Sequence, residues 1–184
     1  MNFVPQIIPD LIIIEPNFYG DDRGYFSEIY REDLLSECIG SEVKFIQDNE
    51  SMSTKGVLRG LHYQLPPFSQ SKLLRVVEGK ILDLVVDIRR SSPTFGKHVA
   101  LELSSENMKQ LFIPCGFAHG FLVLSERAKI NYKVDNYYMP EYDRGIAFND
   151  PKLNIDWPFP LEKLQLSKKD KLHPNLYDSV DLLE

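Results

Sequence analysis

Two cysteines in 184 residues, Cys38 and Cys115, stand far apart with no CxxC partner. That argues against a disulfide framework and fits reduced thiols in a cytosol. A basic excess is missing as well. With 21 Lys and Arg against 27 Asp and Glu, the formal net charge is −6, which leaves no basic face for a nucleic-acid backbone. An anionic small ligand would have to be met by a few local Arg or Lys. Long apolar runs are also lacking. The apolar start, Met1 to Glu15, is interrupted by Pro5, Pro9 and Asp10 and follows no basic segment, so neither a signal peptide nor a membrane span is expected, and the cytoplasm is the expected location. No GxGxxG, GxxxxGK[ST] or HExxH stretch occurs, nor a GxSxG elbow, so the sequence signatures of dinucleotide binding, phosphate loops, zinc helices and serine hydrolases are not found.

What is present is aromatic and β-branched. Hydrophobic residues make up 43% and charged residues 26%, with nine Tyr and eleven Phe, a globular balance that leans toward sheet. Short runs bounded by Gly, Pro, Asn or Ser predict strands at Leu11 to Glu15, Gly24 to Tyr30, Val43 to Ser51, Val57 to Leu65, Leu73 to Glu78 and Lys80 to Ile88. Further strands are predicted at Val99 to Leu103, Leu111 to Ile113, Gly120 to Leu124 and Ala128 to Asp135. One helix is expected over Arg31 to Cys38, closed by Gly40, and a helical turn near Leu161 to Leu164. With no repeat or linker, the chain reads as one domain over residues 1–184. So many short strands predict an all-β sandwich or jelly-roll barrel with a few short helices. Along the sixth predicted strand, Ile81, Asp83, Val85 and Asp87 share one face. Its two carboxylates predict a partly wet face, a cavity or a surface and not pure core.

Some residues are not explained by packing. His62 lies mid-strand in Leu58-Arg59-Gly60-Leu61-His62-Tyr63-Gln64, beside a glycine that admits a ligand or another backbone; a histidine satisfied inside a sandwich is the competing reading. Strict alternation sets Arg59 and His62 on opposite faces, so shared contact with one ligand requires a bulge near Gly60 or an Arg reaching across a subunit edge. Lys72 opens the next strand, where a solvated lysine is the ordinary reading. His119 sits between Gly116 and Gly120 in a turn feeding an apolar strand. Tyr132 reads by default as a sheet tyrosine, and Asp170 as a tail residue. Metal ligation needs ligands spaced on one face. His62 has no second histidine at i+2, and His98 and His173 lie in polar, loop-like contexts, so no metal is expected.

Taken together, several colinear segments resemble the dTDP-4-dehydrorhamnose 3,5-epimerase family of the cupin superfamily. They include Asp22-Arg23-Gly24-Tyr25-Phe26-Ser27-Glu28, Gln47-Asp48-Asn49, the Gly56 to Gln64 stretch and Lys72-Leu73-Leu74-Arg75-Val76-Val77. Asp87 to Gly96, Pro114 to Leu124, Tyr132-Lys133, Tyr137-Tyr138, Arg144-Gly145-Ile146, Asn149-Asp150-Pro151 and Ile155-Asp156-Trp157-Pro158 extend the match across nearly the whole chain.

The resemblance implies a cupin-type jelly-roll homodimer in which one subunit helps to build the other's site. It implies a dTDP-linked 4-keto-6-deoxysugar as substrate, inverted at C3 and C5, with no cofactor and no metal. His62 would be the base, oriented by Asp170, with Tyr132 the acid and Lys72 the cation beside the enolate oxygen. Arg23, Phe26, Glu28, Gln47, Asn49, Arg59, His119, Tyr138, Asp143 and Lys169 would hold the substrate. Asp83 is a second carboxylate able to serve the histidine. Two positions depart from the family pattern: Glu50, where histidine is common, and Asp143, where glutamate is usual. A single-carbon epimerase, a ketoisomerase and a non-catalytic sugar-binding jelly roll are the alternative readings.

Overall fold

The computed structural model describes residues 1–183, and its strands run antiparallel in two facing sheets and one hairpin. In chain order they are β1 (Asn2–Pro5), β2 (Ile12–Glu15), β3 (Phe18–Asp21), β4 (Gly24–Ser27), β5 (Gln47–Thr54), β6 (Leu58–Gln64) and β7 (Lys72–Glu78). Then come β8 (Lys80–Asp87), β9 (His98–Ser104), β10 (Gln110–Ile113), β11 (Phe117–Val123), β12 (Arg127–Val134) and β13 (Asp143–Gly145). One sheet has the order β1-β2-β10-β7-β12-β5, the other β13-β6-β11-β8-β9, and β3 pairs only with β4. This is the jelly-roll sandwich that the strand pattern predicts.

Every predicted strand is found, with ends shifted by a few residues. The expected Gly24 to Tyr30 strand stops at Ser27, and the Val43 to Ser51 strand begins at Gln47. Three strands escaped the sequence reading: β1 carries a proline, β3 has no burial pattern, and β13 is three residues held by β6. The helix α1 (Glu32–Ile39) ends where expected, at Gly40 with φ of 71°, the left-handed turn that glycine adopts without strain. A turn of 3-10 helix occupies Leu161–Lys163.

The six-stranded sheet buries Leu74, Val76, Leu111 and Ile130 against Ile81, Val85, Phe117 and Phe121 of the five-stranded sheet. Its other face, with Ile12, Ile14, Leu73 and Phe112, packs under Leu35 of α1. The five-stranded sheet is covered on its far side too, where Leu84, Val86 and Ile88 meet Ile146, Leu153, Leu176 and Leu182 from the C-terminal segment. Covered on both faces, β8 reads as a nearly continuous apolar run.

The face of β8 that carries Asp83 and Asp87 looks into the sandwich with Ile81 and Val85, toward the cavity rather than an outer surface, and the expectation that it is partly wet is corrected. Asp83 and Asp87 are both 0% exposed, because each finds a full set of partners. Asp87 accepts hydrogen bonds from the Arg89 guanidinium at 2.8 and 3.0 Å and from the hydroxyls of Ser92 and Thr94, both at 2.6 Å. Burial alone would raise its pKa, but these donors outweigh it and lower the carboxyl to about 2. A carboxylate depressed in the native state contributes stability above its unfolded pKa and loses it as pH falls through the native value. Between about pH 4 and pH 2 the protein therefore loses about 2 kcal/mol through Asp87 alone. Denaturant melts of the native chain and Asp87→Asn across that window should show the variant less stable at pH 7 and flatter toward acid; parallel curves would refute the coupling.

Candidate active site

A cavity of about 360 Å³ opens between the two sheets. One wall comes from β6 and β11, with Arg59, His62, His119 and Phe121. The facing wall comes from β5, β7 and β12, with Ser51, Lys72, Leu74, Ile130 and Tyr132. Tyr138, Asp143, Ser167, Lys169 and Asp170 complete the lining.

Arg59 and His62 share this cavity because β6 is bulged. The register between β6 and β11 shifts between the His62–His119 and Arg59–Phe121 pairs, which takes the two side chains off strict alternation. The bulge requires glycine on both strands. Gly60 has φ of 129°, and a Cβ there would stand 2.6 Å from the Cα of Gly120.

His62 donates from Nε2 to Oδ1 of Asp170 at 2.7 Å, joining β6 to a residue 108 positions later. Asp170 is 4% exposed. Burial pushes its carboxyl up, but the imidazoles of His173 and His62 and the Ser167 hydroxyl together hold it well below the usual carboxylate range. It is therefore an anion that fixes the imidazole tautomer and leaves Nδ1 as the free ring nitrogen. Asp83 does not compete for His62. Its two oxygens sit 3.0 and 3.1 Å from Nε2 of His119 instead, so each cavity histidine has its own carboxylate.

Lys72 is not a solvated strand end. Burial lowers its pKa to about 8, against the opposing fields of Asp143, Asp83 and Cys115. Tyr132, half-buried, is raised above the ordinary phenol value by burial, with Arg59 opposing, so it stays protonated at neutral pH. Arg59 donates from Nε to Ser53 at 3.0 Å. Asp143 accepts from the Tyr138 hydroxyl at 2.8 Å and from the Lys169 ammonium.

The structure thus gathers His62, Tyr132, Asp170, Lys72, Arg59, His119, Tyr138, Asp143 and Lys169 around one space. Gln47 and Asn49 do not line it. They lie beside it on β5, where Gln47 accepts from the Tyr138 backbone N–H at 3.4 Å and donates to Asn49 at 2.8 Å. Arg23, Phe26 and Glu28 are not brought to the cavity at all. Arg23 is on the exposed β3–β4 hairpin, its side chain 89% exposed and paired with Asp21, and Phe26 is 67% exposed. One residue was misread from sequence. His173, taken as a polar loop residue, has a side chain only 9% exposed, three positions beyond Asp170. The expectation of no metal set His173 aside for its polar, loop-like context. Among the described residues, the donor atoms of His62, Asp170 and His173 lie within 4.8 Å of one another.

A base held by an anion, a phenol on the facing wall, a lysine of lowered pKa and an arginine are the equipment for proton transfer beside a carbonyl in an anionic ligand. The family model of dTDP-4-dehydrorhamnose 3,5-epimerase matches residues 5–178. The chain belongs to this epimerase family. The dTDP-4-dehydrorhamnose 3,5-epimerase of Shigella flexneri is 52% identical over 170 residues, covering 92% of this chain and 93% of that protein. The crystal structure of dTDP-6-deoxy-D-glucose-3,5-epimerase from Legionella pneumophila, in complex with dTDP-4-keto-L-rhamnose, is 49% identical. It superposes with a TM-score of 0.91 over 96% of this chain and 93% of that one. The dTDP-4-dehydrorhamnose 3,5-epimerase of Elizabethkingia anophelis superposes with a TM-score of 0.94 at 46% identity, over 97% and 98% of the two chains. Among the described residues of this family member, no helix is long and apolar enough to cross a membrane.

Proposed function

We propose that the chain inverts C3 and C5 of dTDP-4-keto-6-deoxy-D-glucose, giving dTDP-4-keto-L-rhamnose by way of enolates. The observation that carries this reading is the His62–Asp170 pair on one wall of the cavity with Tyr132 on the other. A proton beside a ketone is weakly acidic, and His62 takes it at the ring nitrogen that Asp170 leaves free. The electron pair moves onto the C4 oxygen, where the Lys72 ammonium meets the developing charge. Tyr132 returns a proton to the opposite face, and the centre is inverted. Carbon ends at the oxidation state at which it began, so the reaction calls for no redox cofactor. Arg59 and His119 hold the anionic and sugar parts, with the Tyr138–Asp143–Lys169 cluster at the rim.

Turnover in deuterium oxide tests the roles. His62→Ala should lose solvent exchange at both C3 and C5 by about 10²-fold or more, while Tyr132→Phe should lose inversion more than exchange. Native-rate exchange in the His62 variant would remove the base assignment, and exchange at one carbon in the native enzyme would make it a single-carbon epimerase.

Lys72 sets the basic limb of the pH profile. Its lowered pKa means the ammonium is present below about pH 8 and is lost as pH rises through that value. Turnover should therefore fall above about pH 8. In Lys72→Arg, whose guanidinium keeps its proton, the residual activity should lose that limb. A basic limb starting well above pH 9 would sink the assignment.

Arg23, Phe26 and Glu28 serve the site of a second copy. Supporting this, the β3–β4 hairpin pairs with no strand of either sheet and exposes Tyr19, Tyr25 and Phe26, each above 60%. A lone two-stranded ribbon is marginal in water, and an aromatic patch of this kind marks a contact surface. In a homodimer with sites of mixed parentage, co-expressed His62→Ala and Arg23→Ala chains should regain roughly a quarter of native activity, because each mixed dimer recovers one intact site. No recovery in verified mixed dimers would place Arg23 outside the partner's site.

A further inference from the structure

His173 is left unused by the proton-transfer scheme, yet it is built into the same spot. Its Nε2 is buried with no hydrogen-bond partner among the described residues and lies 3.7 Å from Oδ1 of Asp170. Its ring meets that of His62 edge-on, with centroids 5.5 Å apart. The ring cannot be accommodated by chance, because it occupies the space above Gly145, where an added Cβ would stand 2.4 Å from Nε2. Leaving a buried ring nitrogen unsatisfied is costly, so a nitrogen kept in that state beside an anion asks what it could bind.

We propose that His62, Asp170 and His173 form an inhibitory site for a divalent cation of the zinc class, which captures the catalytic base in place of substrate. Two imidazoles and a carboxylate are the donor set that such an ion takes. Metal–ligand bonds of about 2.0 Å put neighbouring donors about 3.3 Å apart around a tetrahedral ion. The observed separations from Asp170, 2.7 Å to His62 and 3.7 Å to His173, straddle that value, and all three donors lie within 4.8 Å of one another, so the two imidazoles must close toward each other to admit the ion. Coordination through Nε2 of His62 moves the ring proton to Nδ1, with no net change of charge on the ring. The nitrogen that would accept the substrate proton is then occupied, which makes the ion an inhibitor rather than an activator.

The inference rests on the catalytic reading of His62, but its decisive test needs no turnover. Calorimetric titration of the purified protein with Zn²⁺ should show one site. In His173→Gln the affinity should fall at least about tenfold, the loss that even an outer-shell partner of a metal ligand commands. His173→Asn is the second variant should the first not fold. A Cys38→Ser/Cys115→Ser double variant should bind as the native chain does. In turnover, Zn²⁺ should inhibit the native enzyme, chelator should restore it, and chelator alone should change nothing, whereas His173→Gln should keep its activity in Zn²⁺. Unchanged affinity in both His173 variants, or affinity lost with the thiols, overturns the site. Activity lost on chelation alone overturns its inhibitory character. A protein that binds zinc here and does not epimerise refutes the catalytic reading and leaves the metal site standing.

Discussion

A single hydrogen bond, from His62 to Asp170, ties the central sheet to the C-terminal segment and determines what the cavity can do. The carboxylate is buried where an isolated anion would be costly, and it remains ionised because the His62 hydrogen bond and the nearby His173 and Ser167 side chains favour its charged form. Its charge fixes the histidine tautomer, and the fixed tautomer makes the other ring nitrogen basic. The rest of the C-terminal segment supports that contact. Asp150 accepts from the backbone N–H of Leu176 at 2.7 Å, and the Tyr63 hydroxyl donates to the Asp181 carbonyl at 2.7 Å. These bonds press the segment onto the outer face of the five-stranded sheet, where Leu176 and Leu182 are buried.

The protein carries a net negative charge, yet its charges are segregated around the cavity. Asp83 and Asp170 are each locked to a histidine, and Asp143 to Tyr138 and Lys169, so the acids at the cavity are already paired. Arg59 and Lys72 are left facing the space itself. Burial that lowers the Lys72 pKa also strengthens its field at short range, since little water screens it there. The same desolvation that makes the group sensitive to pH therefore makes it effective.

How much of this was legible in the sequence follows from which interactions are local. Alternating runs and turn residues marked nearly all strands of both sheets, because period-two burial is written in neighbouring residues. The Gly40 cap was readable for the same reason. The short edge strands β1 and β13 were not, since they exist only through pairing with β2 and β6. Within the site, Gly60 announced a bulge, and the bulge is what unites Arg59 with His62. The burial of Asp83 and Asp87 could not be foreseen, because the residues that pair with them, His119 on β11 and Arg89, Ser92 and Thr94 in the loop after β8, are not marked by strand alternation. His173 was misjudged likewise. Its polar sequence context said nothing of Gly145, the distant residue whose missing side chain gives the ring its place.

His62 and Tyr132, the proposed base and acid, belong to different sheets, so no strand on its own fixes the distance between them. That distance is the gap of a sandwich, about 10 Å between backbones, and it is held by side chains such as Val85, Ile130 and Phe121 that never touch a proton in flight. The hydrophobic filling thus works as a gauge block. A methylene added or removed deep in the core changes the reach of the phenol across the cavity toward the imidazole, so packing and site geometry cannot evolve independently here.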